Sequence, residues 1–187
     1  MSEGNEQEVV RLTAPLIDND WSQGPEDAPV TLVEYADYEC ENCFYAAAAV
    51  EKLLQTHGDR VRVIFRHFPI MTKHPRAMAQ AMAAEAAGRQ GKFWEMHHKL
   101  FSKMGPTEDD EILRFAEELG LDLERFKQDL TSKQIEEKIR DQRLAGARSG
   151  VHGTPTFFIN GVRFEAPPTY EWLKAAVEHF AQHHPSH

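Results

Sequence analysis

Cysteine is scarce in this chain: 187 residues contain two, Cys40 and Cys43. A scaffold held by several disulfides is therefore excluded, and the chain is long enough to bury a core without such staples. Its length suits one domain with room for an insertion. Positive charge is also short. Twenty-one Lys and Arg stand against 30 Asp and Glu, a net charge of −9. That balance excludes the basic face of a nucleic-acid binder and disfavours an anionic membrane surface. Long apolar runs are missing: the longest weakly polar stretch, Met78 to Ala87, carries Glu85 and is too short to insert into a bilayer. Residues 1–29 contain no basic segment followed by an apolar run, so no secretory leader is legible. The expected location is cytoplasmic, with a mature exported chain as the alternative. No repeat or low-complexity tract stands out.

What remains reads as strands alternating with helices. Residues 1–29 form an N-terminal extension, with a frayed start over 1–8, a candidate edge strand at Val9 to Leu12 and a loop from Asp18 to Pro29. Val30 to Ala36 is a β-prone run, a helix follows over about 41–57 to Gly58, and Val61 to Phe68 is a second strand. Residues 70–150 read as a block of helices. His74 to Arg89 comes first, then Phe93 to Met104 with an apolar stripe, then a helix capped by Thr107. Asp122 to Leu130 and Ser132 to Ser149 complete the block. Thr156 to Ile159 and Val162 to Phe164 flank Asn160-Gly161, the signal of a type I′ hairpin. A last helix begins after Pro167-Pro168-Thr169, with Tyr170, Trp172, Leu173, Ala176, Val177 and Phe180 on its apolar side. This order predicts a layered α/β fold with a mixed central sheet flanked by helices, its first two strands parallel.

Both cysteines lie in Tyr35-Ala36-Asp37-Tyr38-Glu39-Cys40-Glu41-Asn42-Cys43-Phe44, at a strand-to-helix junction. A Cys-x-x-Cys pair has three readings. Zinc needs further ligands; no second pair is present, and His57 has no partner at finger spacing. A metal shared by two chains stays open. Buried inert thiols are the second reading. A redox dithiol is the third and is favoured. With the helix starting at Glu41, Cys40 is the N-cap, where free backbone N–H groups and the helix dipole stabilise a thiolate. Cys40 is then the nucleophile and Cys43, one turn inside, the resolving thiol. Glu34 shares a strand face with Val30 and Leu32, so it is either a buried acid with a raised pKa or an edge-strand acid. A buried Glu34 could exchange a proton with Cys43. The acids Asp37, Glu39 and Glu41 are expected to temper the Cys40 thiolate.

The segments VEYADYECENC, FRHFPI, AEAAGRQGKFWEMHHKLF and GVHGTPTFFINGVRF together resemble the DsbA-like branch of the thioredoxin superfamily, over nearly all of Pro29 to Phe180. The resemblance implies a thioredoxin fold over 30–69 and 151–183, with an inserted all-helical domain at 70–150. It implies a cis Thr154-Pro155 bond beside the cysteines, with the Thr154 backbone as a docking edge for an extended substrate. Glu34 matches the family's buried acid. Substrate contacts are expected at Gly153, Thr154, Pro155, Glu41 and Asn42. Glu41-Asn42 stands where DsbA is similar in having Pro-His, and a weaker oxidant is expected from that change.

The expected activity is thiol–disulfide exchange on protein or peptide thiols and disulfides, with a redox recycling partner, no organic cofactor and no metal. The competing readings are a thioredoxin-fold binding or chaperone-like module, a dimer bridging metal through both Cys-x-x-Cys pairs, and a glutathione-linked reductase or transferase. The histidines His97, His98, His179, His183, His184 and His187 read as polar helix faces and a tail. Arg66, His67 and His152 are candidate electrostatic tuners of the dithiol.

Overall fold

The computed structural model describes residues 8–183. The frayed start expected over 1–8, apart from Glu8, lies outside the described residues, as do His184 and His187 of the C-terminal cluster.

The elements in chain order are β1 (Trp21–Gln23), β2 (Val30–Ala36), α1 (Glu41–His57), β3 (Val61–His67), α2 (Ala77–Gly88) and α3 (Phe93–Leu100). Then come α4 (Asp109–Glu118), α5 (Leu123–Asp129), α6 (Lys133–Arg148), β4 (Thr156–Ile159), β5 (Val162–Arg163) and α7 (Tyr170–Gln182). The strands form one mixed sheet in the order β1-β3-β2-β4-β5. β2 and β3 are parallel, with α1 as their crossover, while β1, β4 and β5 join antiparallel. The chain thus has the expected α/β thioredoxin-like fold, and five helices, α2 to α6, lie between β3 and β4.

Alternation sorts the sheet into two faces. Val30, Leu32, Val61, Val63, Phe157 and Ile159 pack against α1 and α7 through Ala46, Val50, Leu53, Leu173 and Val177. Val33, Tyr35, Ile64 and Phe158 cover the other face, with Phe68 and Val151. A third cluster runs from Ala36, Tyr38, Cys40, Cys43 and Phe65 into α2, α3 and α4 without a break. The dithiol therefore sits where the sheet meets the helical block.

Several expectations need correction. The loop expected from Asp18 to Pro29 contains β1, because Trp21 stacks on Phe93 with ring centroids 4.5 Å apart and donates to Glu85 at 2.8 Å. The contacts of one half-buried aromatic side chain outweigh the turn-rich composition around it. Val9 to Leu12 makes only an isolated bridge, Arg11 to Val162. Helix α3 stops at Leu100 and leaves Met104 exposed, so the stripe ends at Phe101. Thr107 is not a cap: it is fully buried, its hydroxyl accepting from Gln80 at 2.9 Å, and Glu108 takes the N-cap position. Trp172 is exposed although its neighbours Leu173 and Val177 are buried. The Asn160-Gly161 hairpin forms as expected, with φ of 47° and 82°.

Candidate functional site

Strand β2 ends at Ala36, and the next residues turn the chain into α1. The turn is shaped by Asp37, whose Oδ1 accepts from the Glu39 N–H at 2.9 Å, and by the Cys40 N–H donating to the Asp37 carbonyl at 3.2 Å. Cys40 has extended φ and ψ of −71° and 125° and occupies the N-cap position of α1. In the thiol form its side chain makes no cap hydrogen bond, although the Cys43 backbone at the third helical position favours the thiolate as expected. Instead the thiol donates to the main-chain oxygen of Thr154 at 3.6 Å.

The two sulfurs have opposite acidities. The Cys40 thiol is lowered to about 6, first by the adjacent Cys43 thiol, then against the cost of burial by the Thr154 hydroxyl and the Cys43 backbone. Asp37 is the flanking acid that opposes it. Cys43 is fully buried, and burial, with the Cys40 sulfur beside it, pushes its thiol well above the usual range. Glu41 and Asn42, between them, are exposed on the first turn of α1.

Glu34 lies in β2, between β3 and β4, so it is not an edge-strand acid. It is 2% exposed, and burial raises its carboxyl to about 8. Its Oε1 has no hydrogen-bond partner among the described residues. It lines a cavity of about 240 Å³ with Phe44, Trp94, His97 and Phe101. Its charge also acts on Cys43.

On the other side of Cys40, the Thr154-Pro155 bond is cis. Gly153, Thr154 and Pro155 line an open concavity of about 370 Å³ with His152 and Arg163. The Thr154 Oγ1 is buried without a hydrogen-bond partner among the described residues. The fold therefore brings Cys40 of one chain half beside Thr154 of the other, with Cys43 next to Cys40 and under the influence of Glu34.

The expected tuners divide. Arg66 is committed elsewhere, holding Asp20 at 2.8 and 2.9 Å and donating to Tyr35, Ala14 and Pro15. His67 pairs with Glu85 at 2.9 Å. His152 alone borders the concavity. His97 is buried, its imidazole held well below its usual pKa by burial, with Tyr38 Oη 2.9 Å from its Nδ1. His179 and His183 stand at the end of α7 with ring centroids 4.4 Å apart. Among the described residues no three or more His, Cys, Asp or Glu are grouped to hold a metal ion.

Sequence reasoning named Asp37 as a tempering acid but missed its partners, and it missed the role of Glu85. Asp37 binds Ile70 N at 2.9 Å and lies 2.8 Å from His74 Nδ1. Glu85 is the hub of a buried network with Trp21, His67 and Lys138. An acid within an Ala-rich helix was the only sequence signal for the second.

A family model described as Thioredoxin matches residues 17–179. The fold resembles a thioredoxin-like oxidoreductase from Silicibacter pomeroyi DSS-3, at 29% identity and TM-score 0.79, covering 89% of this chain and 94% of that one. It also resembles the thiol-disulfide exchange protein alpha-DsbA2 from Wolbachia pipientis, at 26% identity and TM-score 0.72, covering 84% and 85%. Among curated relatives, the Na(+)/H(+) antiporter NhaA 3 of Salinispora tropica is 43% identical over 175 residues, which are 93% of this chain and 27% of that protein. The chain thus spans about a quarter of the length of the curated relatives it matches. No helix among the described residues is long and apolar enough to cross a membrane.

Proposed function

The chain belongs to the thioredoxin family, in its DsbA-like branch, and from that premise we propose that it exchanges disulfides of protein or peptide substrates through Cys40 and Cys43. The observation that carries this reading is the asymmetry of the two thiols: Cys40 is lowered to about 6 and Cys43 is raised by burial. At neutral pH the nucleophilic thiolate then resides on Cys40.

In the reducing direction, the Cys40 thiolate attacks one sulfur of a substrate disulfide. A Cys40–substrate disulfide forms, and the other substrate sulfur leaves as a thiolate and takes a proton from water. Cys43 gives its proton to the Glu34 carboxylate and attacks the Cys40 sulfur, releasing the second substrate thiolate. The oxidising direction reverses each step. A carboxyl raised to about 8 has both forms populated near neutral pH, so Glu34 can serve either direction. Gly153, Thr154 and Pro155 would receive the substrate backbone, with Glu41 and Asn42 flanking it.

The same reading assigns residues 70–150 to a helical insertion domain between thioredoxin halves 30–69 and 151–183, and 1–29 to an extension. It requires a recycling partner and no organic cofactor, and it is compatible with a cytoplasmic location or with a mature exported chain. The antiporter name stays with the Salinispora protein, of which this chain matches about a quarter.

The test is exchange on an insulin or peptide disulfide. Cys40→Ser should abolish it, and Cys43→Ser should accumulate a mixed disulfide on Cys40. Full activity of Cys40→Ser would overturn the reading in favour of a binding module.

A further inference from the structure

The acids on the N-terminal side of Cys40 are held by one short segment. Asp37 Oδ2 accepts from the Ile70 N–H at 2.9 Å and stands 2.8 Å from His74 Nδ1. Glu39 Oε2 accepts from the Arg76 N–H at 2.8 Å. All three partners lie in 70–76, which connects β3 to α2. The connector is itself anchored in the helical block. Arg76 donates from Nε to the Thr107 carbonyl at 3.1 Å and from Nη2 to Asp109 at 2.5 Å.

We propose that this connector is an electrostatic latch on the dithiol loop, in which His74 is the positioning residue that limits how strongly Asp37 opposes a thiolate on Cys40. The proposal rests on the exchange function above and deepens it. The Asp37 side chain is fully buried, while His74 is 23% exposed. Of the groups bonded to this carboxylate among the described residues, His74 supplies the one side chain; Glu39 and Ile70 supply backbone N–H groups. Arg76, a cation of the connector, is spent on Thr107 and Asp109 rather than on Asp37. Facing Asp37 from the N-cap of α1 is Cys40, whose thiolate it disfavours. A donor on a buried carboxylate draws charge density toward itself and weakens the field at other neighbours. Loss of the His74 donor leaves that field unrelieved. The thiolate is then harder to form, the reduced couple is less favoured and the disulfide is less oxidising.

Two readouts test this: the thiolate titration followed by ultraviolet absorbance, and the equilibrium with glutathione. His74→Leu should shift both by roughly three- to tenfold, toward a less acidic Cys40 and a more reducing couple. His74→Gln, which keeps a donor, should recover most of the difference. In an Asp37→Asn background His74→Leu should have no further effect. An unchanged titration in His74→Leu, or an equal shift in the Asp37→Asn background, overturns the latch. If His74→Leu does not fold, Asp37→Asn alone decides: it should make Cys40 more acidic, and an unchanged or less acidic Cys40 overturns the proposal. The titration needs no substrate. A thiolate that responds to His74 in a chain unable to exchange with insulin supports the latch and overturns the function; an exchanging chain indifferent to His74 overturns the latch alone.

Discussion

The Cys40 thiol donates to the main-chain oxygen of Thr154 at 3.6 Å, across 114 positions of sequence. This contact joins the turn after β2 to the segment before β4. On ionisation the sulfur has no proton to donate, and the Thr154 hydroxyl, buried and otherwise without a partner among the described residues, favours the anion alongside the Cys43 thiol, which is the larger influence, and the Cys43 backbone. Thr154→Val removes the hydroxyl and keeps the shape. It should raise the Cys40 pKa from about 6 by roughly half a unit to one unit. Absorbance of the thiolate against pH measures it.

Glu34 makes folding pH-dependent. Its folded carboxyl is raised to about 8 from 4.5, so the folded chain keeps a proton that the unfolded chain has lost. Stability from this group is fully present below pH 4.5 and is lost as pH rises through about 8. The loss is of order 5 kcal/mol when complete, taking about 1.4 kcal/mol per unit. Glu34→Gln should therefore flatten the pH profile and be the more stable protein at pH 8 to 9, by denaturant unfolding. The same variant should slow resolution by Cys43, since no carboxylate remains to take its proton.

Glu85 has the opposite sign. Burial alone would raise its carboxyl, but His67 at 2.9 Å and Lys138 at 3.0 Å hold it at about 2. Its stabilisation is present above the unfolded value of 4.5 and is lost as pH falls through about 2. Glu85→Ala leaves His67, Lys138 and the Trp21 indole without their acceptor. It should cost about 3–5 kcal/mol at neutral pH, read from the urea midpoint, and should loosen β1.

Gly146 lets α6 approach the sheet. A Cβ there would lie 2.8 Å from Tyr35 Cε1 and 3.1 Å from Phe68 Cδ2. Both rings are buried against Phe158 and Val151, so neither can yield freely. Gly146→Ala should destabilise the protein by about 1–3 kcal/mol, although alanine favours a helix. A neutral or stabilising result in thermal unfolding would contradict this packing.

The dithiol and its acid were legible because they depend on local pattern. Cysteine spacing put one thiol at a helix start, and alternation placed Glu34 in line with Val30 and Leu32 inside a β-α-β unit. What was not legible depends on distant partners. Trp21 becomes strand because Phe93 and Glu85 receive it. Thr107 carries the chemistry of a cap, but Gln80 claims its hydroxyl. Asp37 and His74 meet across 37 positions, through the path of an irregular connector that no periodicity encodes. The expected tempering by three acids narrows to Asp37 among the groups acting on Cys40.

The central claim is that Cys40 and Cys43 form a redox couple poised away from a strong oxidant. A Cys40 pKa of about 6 lies between the thioredoxin value of about 7, with a potential near −270 mV, and the DsbA value of about 3.5, with a potential near −120 mV. The couple is therefore expected in the reducing half of that range. The direct measurement is the fraction of Cys40–Cys43 disulfide in glutathione buffers of graded ratio. A single two-electron transition nearer about −270 mV than about −120 mV is the predicted result. A transition close to about −120 mV, or no transition at all, would contradict the account.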